Sequence, residues 1–174
     1  KFSVGDGLAT TASTNFSIIV NAVDDMPTLT GTGINPTYTE ALTPVPVTLY
    51  SNTVTASTGD TLGAVQTLKS MTITVSNIRD GSDERLLVNG IAAGNTIELS
   101  GNTDSGSVGT INGNNLNFAV SKSGSTTTVT LTHNGLTGAE LKAIVESLQY
   151  VNISPNPTAG ARAVNITQLV DSGS

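Results

Sequence analysis

The side chains best suited to chemistry in this sequence are carboxylates gathered in short turns. Asp24 and Asp25 stand side by side, and Asp80, Asp83 and Glu84 crowd a second stretch. Like charges this close repel one another unless a cation or a basic group relieves them. Carboxylate oxygens are the ligands that hard divalent cations prefer. Asp also favours turns on conformational grounds, so a solvated acidic turn is an open alternative at both places.

Two arginines, Arg79 and Arg85, flank the second of these clusters. A guanidinium beside a carboxylate favours the charged form and relieves the repulsion without any metal. Salt bridging is therefore a further alternative for the cluster that begins at Asp80.

Few residues in this sequence are arranged in a way that would suit catalysis. His133 is the only histidine, and the sequence Thr-His-Asn-Gly around it indicates a hairpin turn in which the ring faces water. Glu140 and Glu146 are six residues apart in a predicted helix, on different faces, so they make a poor acid–base pair. No Gly-x-Ser-x-Gly motif occurs, and three Phe, three Tyr and no Trp leave few aromatic platforms for a glycan. We predict that the protein is not an enzyme.

The composition excludes several classes of partner. The 174 residues include seven Lys+Arg and thirteen Asp+Glu, giving a net charge of −6, so the basic stripe that nucleic-acid binding needs is missing. Without cysteine there is no disulfide framework or thiolate metal site, and one histidine makes no imidazole cluster. No apolar run approaches the roughly 20 residues of a spanning helix, so we predict no direct membrane insertion.

Period-two alternation of apolar and polar residues predicts a protein built mainly of strands. Thr and Val are plentiful, which favours sheet. A short strand is predicted over 1–4, and a longer one over 15–23 places Phe16, Ile18 and Val20 on one face. An irregular edge strand marked by prolines is predicted around 38–48. The other predicted strands cover 71–75, 86–88, 97–99, 108–111, 115–120, 126–132, 150–152 and 163–170.

One segment breaks this pattern and has helical spacing. Thr137 is followed three residues later by Glu140, which is the sequence signature of a capping box. The spacing predicts a helix over 137–148, lying on one side or end of the sheets. Its apolar positions are Leu141, Ile144, Val145 and Leu148.

Four stretches taken together resemble a known family. Residues 16–29 contain a valine-rich strand followed by Asp-Asp-Met-Pro, and Tyr38-Thr39-Glu40 follows shortly after. Residues 73–84 form the acidic middle turn, and 141–162 contain the helix, the next strand and an Asn-Pro turn. This order resembles the tandem cadherin-like repeats of giant bacterial surface proteins, including adhesins of the repeats-in-toxin type. In that family Asn is common at the position of Asp24.

The resemblance implies an all-β fold, an antiparallel Greek-key β-sandwich of the cadherin or immunoglobulin type, with calcium at the repeat junctions. After Val54 the family often carries an Asp-x-Asp pair, where this chain offers only Asp60. The candidate calcium ligands are Asp24, Asp25, Glu40, Asp80, Asp83, Glu84 and Asp171.

The resemblance also implies a domain organisation and a function. Residues 28–174 are expected to form one repeat, and residues 1–27 to be a linker with terminal strands of a preceding repeat or an exchanged strand. The expected function is a spacer in an extracellular adhesin-like protein at the cell surface, with neighbouring repeats or identical subunits as partners. The alternative is a subunit of an extracellular filament or surface layer that assembles by β-strand exchange.

Overall fold

Alternating apolar residues in the central strands build two antiparallel sheets. The computed structural model of the chain describes residues 17–19, 23–59, 65–88, 96–101 and 104–173. Within them the elements are β1 (Thr28–Thr30), β2 (Val47–Thr48), β3 (Thr55–Ser57), β4 (Leu68–Ser76), β5 (Glu84–Val88), β6 (Thr96–Glu98), β7 (Asp104–Ile111), β8 (Asn114–Ser123), β9 (Thr126–Leu136), α1 (Gly138–Glu146), β10 (Leu148–Asn152) and β11 (Ala163–Asp171).

The sheets join strands that are far apart in sequence. One of the two larger sheets has the order β11-β4-β9-β8-β7 and the other the order β2-β10-β5-β6, and β1 and β3 form a third, two-stranded sheet. The chain crosses between the sheets, so that β10 lies beside β5 and β11 beside β4. These crossings and the antiparallel pairing confirm the predicted all-β sandwich with a short helix.

The core lies between the two sheets and follows the period-two pattern. In β4, Met71, Ile73 and Val75 are buried while the threonines between them are only partly covered. Leu86 and Leu148 from the other sheet belong to the same buried cluster. Burying each such side chain contributes about 1.5–3 kcal/mol, which explains why the strand pattern specifies the register.

The helix starts and ends close to its predicted limits. Thr137 Oγ1 accepts the Glu140 backbone N–H at 3.2 Å, and Glu140 Oε2 accepts the Thr137 backbone N–H at 2.8 Å, which confirms the capping box. Leu141, Ile144 and Val145 are buried. The helix ends two residues earlier than predicted because Leu148 already belongs to β10.

The proline-rich segment differs from its prediction. In place of an edge strand around 38–48, the only strand there among the described residues is Val47–Thr48, which pairs with β10. Pro44 and Pro46 have no N–H to donate to a ladder, so pairing begins only after them. The predicted strand over 1–4 lies outside the described residues, as do residues 15, 16 and 20–22 of the one predicted over 15–23, and residues 17–19 and 23 are not in a strand.

Candidate functional site

Arg162 joins two of the predicted ligand carboxylates at one edge of the sandwich. Its side chain is 9% exposed, next to Asp80 at 8% and Glu84 at 0%. Arg162 Nε donates to Glu84 Oε2 at 3.0 Å, and Nη2 donates to Glu84 Oε1 at 2.9 Å. Nη2 also lies 3.3 Å from Asp80 Oδ2. The two-pronged contact with Glu84 is the geometry in which Arg binds a carboxylate most strongly.

The buried Glu84 carboxylate has further donors around it. Tyr150 Oη donates to Oε2 at 2.7 Å, and the backbone N–H groups of Arg79 and Asp80 donate to Oε1 at 2.7 and 2.9 Å. Burial alone would raise the pKa of Glu84, but the hydrogen bonds from Arg162, the two backbone N–H groups and Tyr150 outweigh it. The pKa of Glu84 is therefore held below its ordinary value.

Asp80 is satisfied in a similar way. Asn152 Nδ2 donates to Asp80 Oδ2 at 2.6 Å, the Thr158 backbone N–H donates to the same oxygen at 2.9 Å, and the Thr158 hydroxyl donates to Oδ1. Burial would raise the pKa of Asp80, but the bonds from Thr158 and Asn152 and the charge of Arg162 lower it. Each carboxylate oxygen of the pair already has a donor, so the donor set around Asp80 and Glu84 does not fit a cation.

The salt-bridge alternative thus describes Asp80 and Glu84, although the two arginines named for it were wrong. Arg79 contributes its backbone N–H, and Arg85 pairs with Glu98 at 3.2 Å. The solvated-turn alternative does not hold for Glu84, which is fully buried at the start of β5. The sequence analysis did not predict Arg162 as the partner of these carboxylates. The one signal in the sequence is that Arg162 is among only seven Lys and Arg residues.

Two other predicted ligands, Asp24 and Asp171, meet at one end of the sandwich. Asp171 is fully buried at the end of β11, and its Oδ1 accepts the Gly173 N–H at 3.0 Å. Asp24 is exposed, and its Oδ1 accepts from Gln66 Nε2 at 2.7 Å. A Cβ on Gly173 would overlap both Asp24 Oδ1 and the Gln66 amide, so these groups are in close contact. We call Asp24, Gln66 and Asp171 the junction site.

The remaining predicted ligands are not gathered there. Asp83 is half-buried at the end of a short 3₁₀-helix (Gly81–Asp83) just before β5, and Glu40 is exposed beside the groove described below. Asp25 is exposed, and its backbone carbonyl packs against Gly59. In the part of the chain that the structure describes, no three Asp, Glu or His side chains form a metal-sized group. Asp60 lies outside the described residues.

His133 does not stand in a turn. It lies within β9, is 5% exposed, and its Nε2 is 3.1 Å from the Ile111 carbonyl oxygen. The strand continues to Leu136, so the alternation turns this ring inward. Glu140 caps the helix, and Glu146 accepts the Val54 N–H at 3.2 Å. All three groups therefore have local structural contacts.

Two cavities have residues of β11 in their walls, and together we call them the β11 groove. The smaller, of about 550 Å³, is lined by residues 166–171, and the larger, of about 880 Å³, by Arg162, Val164 and Asn165 among others. All three tyrosines of the chain line the larger cavity, and the rings of Tyr38 and Tyr150 meet edge to face at 5.9 Å. Tyr150 is buried, whereas Tyr38 and Tyr50 are half-buried.

Comparisons with protein families, curated proteins and solved structures find no match to this chain. Among the described residues, no helix combines the length and the apolar character that crossing a membrane requires.

Proposed function

We propose that this protein is a non-enzymatic structural module that serves as a spacer in an extracellular bacterial adhesin-like protein. Calcium stiffens the module at the repeat junction. The observation that carries the proposal is the junction site. Asp24 precedes the first described strand by four residues, and Asp171 ends the last one, yet both lie beside Gly173. A cation bound there would tie the segment before the sandwich to its final strand.

The donor set of the junction site suits calcium. Asp24 and Asp171 supply carboxylate oxygens, and the Gln66 amide, whose Nε2 donates to Asp24 Oδ1, would offer its oxygen to a cation after a flip of the amide group. Bound calcium would neutralise the two carboxylates and hold them together. With only two carboxylates we expect weak binding, with Kd on the order of 10⁻⁴–10⁻³ M, as in extracellular calcium modules.

The contacts of the candidate catalytic groups support a non-enzymatic role. His133 contacts a backbone carbonyl, Glu140 caps a helix, and Glu146 accepts the Val54 backbone N–H. Each of these groups stabilises the fold where it lies.

Thermal unfolding with and without calcium tests the proposal. At a calcium concentration about ten times Kd, binding to the folded state adds about 1.4 kcal/mol. For a chain of this size we expect Tm to rise by about 3–6 °C relative to EDTA. Asp171→Asn and Asp24→Asn should each remove most of that rise.

Asp104→Asn is the matched control, since it removes the same charge from an exposed residue at the start of β7. It should keep the calcium-dependent rise in Tm. An equal Tm in calcium and EDTA for the unmodified chain would contradict the proposal, as would an unchanged rise in Asp171→Asn.

A second candidate function is a filament or surface-layer subunit that assembles by strand exchange. The observation that favours it is the exposure of Ile18 at 76%, Ile19 at 83% and Val23 at 81%. Exposed apolar residues this close together indicate a segment that contacts another molecule.

A further inference from the structure

The sandwich core is incompletely covered along the β11 groove. β11 is the last strand of its sheet, and among the described residues it pairs only with β4. Most of the partly buried apolar side chains that pack on the core line this groove. They are Leu29, Tyr38, Val47, Leu49, Tyr50, Val164, Ile166 and Leu169.

The edge of β11 offers backbone groups to a further strand. An outer strand presents unpaired N–H and C=O groups, which are a template for pairing with another chain. Burial raises the pKa of Tyr50. A hydrogen bond from the Ile166 backbone to the Tyr50 side chain lowers that pKa by a smaller amount. A side-chain hydroxyl thus already serves as an acceptor for this edge.

The segment 15–23 has the properties of the strand that would fit there. It is nine residues long, as β11 is, so both span about 30 Å when extended. Neither this segment nor residues 163–170 of β11 carries a charge, and the remaining β11 residue, Asp171, is already buried. Its alternation presents Phe16, Ile18 and Val20 on one face.

The segment does not fill the groove of its own chain at the positions that are described. Ile18 and Ile19 are 76% and 83% exposed, and Asp24 is held at the junction site, beside the end of β11. We propose that the β11 groove accepts residues 15–23 of a second copy of this chain as an added β-strand. The inference rests on the structural function proposed above and names its partner.

Peptide binding to the full chain tests this inference. The acceptor is the full chain carrying Ile18→Asp and Val20→Asp, so that its own segment does not compete. The probe is a fluorescein-labelled peptide with the sequence of residues 14–24, read by anisotropy. We expect saturable binding, together with slower hydrogen–deuterium exchange in residues 163–171.

Two matched peptides locate the contact face. A peptide with Ile18→Asp and Val20→Asp places two charges in the apolar groove and should bind at least tenfold more weakly. A peptide with Ser17→Asp and Asn21→Asp carries the same charges on the opposite face and should bind within about threefold of the original, because they stay in water. No binding, equal weakening by both pairs, or protection that misses residues 163–171 would overturn the inference.

The calcium experiment keeps the two proposals apart. Peptide binding is measured in EDTA and in calcium, while the calcium-dependent rise in Tm is measured without peptide. Loss of peptide binding with the Tm rise intact would refute only the added strand. Binding of the peptide with no Tm rise would refute calcium stiffening and leave the added strand in place.

Discussion

At the scale of single residues, one edge of the sandwich is held by Arg162. Its guanidinium connects the segment before β11 to Glu84 at the start of β5 and to Asp80 just ahead of it. A carboxylate as buried as Glu84 is costly unless it is paired and hydrogen-bonded. Removing the arginine therefore has a larger effect than removing a surface cation.

Arg162→Met should destabilise the protein by about 3–5 kcal/mol, because it leaves a buried carboxylate without its counter-charge. The measurement is urea unfolding at pH 7. Arg85→Met is the control, because it breaks only the more exposed pair with Glu98 and should cost less than about 1 kcal/mol. Similar losses in the two variants would contradict a special role for Arg162.

The lowered pKa of Glu84 predicts how the stability of the protein changes at acidic pH. Its folded-state pKa lies below the ordinary value of 4.5, so its contribution to stability is fully present above 4.5 and is lost as the pH falls through the folded value. Unfolding at a series of pH values should show Glu84→Gln less stable than the unmodified chain at pH 7. The difference should shrink below pH 4.5. In Glu98→Gln the difference should stay small throughout, and a constant difference for Glu84→Gln would refute the assignment.

At the scale of elements, α1 is placed by a close approach to β3. A Cβ on Gly138, the first helical residue, would lie 2.6 Å from the Ala56 carbonyl oxygen. Backbone occupies that space, so a side chain there must push the helix and β3 apart. This contact outweighs the usual preference of helices for Ala over Gly.

Gly138→Ala should therefore destabilise the protein by about 1–3 kcal/mol through overpacking, even though Ala gains about 1 kcal/mol in an unconstrained helix. Chemical denaturation measures the change. Gly33→Ala is the matched control, since the nearest atoms to its Cβ lie 4.0 Å away, and it should stay within about 0.5 kcal/mol. A stabilised Gly138→Ala variant would show that the contact is loose.

Local patterns in the sequence predict the elements better than the site. The strands around β4 and β9 and the cap at Thr137 follow from neighbouring residues, so alternation and spacing are enough to find them. Arg162 and Glu84 are 78 residues apart, and only the crossing of the chain between the sheets brings them together. His133 was misplaced because a Thr-His-Asn-Gly sequence resembles a turn, while the pairing of β9 extends the strand past it.

At the scale of the whole molecule, the fold brings the segment before β1 and the end of β11 to the same end of the sandwich. Asp24 and Asp171 are far apart in sequence and share the junction site. The sequence and the family resemblance predicted carboxylates at the repeat junctions. Only the fold shows that Asp24 and Asp171 in particular lie near each other. Asp24 and Asp171 both line the smaller of the two cavities that make up the β11 groove. Calcium at the junction and a strand in the groove would act on the same edge of the molecule.

The most direct test of the account is an anomalous diffraction map from crystals of the full chain grown in about 10 mM calcium, roughly ten or more times the expected Kd. The account predicts an anomalous peak within calcium-bonding distance, about 2.3–2.6 Å, of carboxylate oxygens of both Asp24 and Asp171. Ordered side chains at the junction site with no peak between them would contradict it.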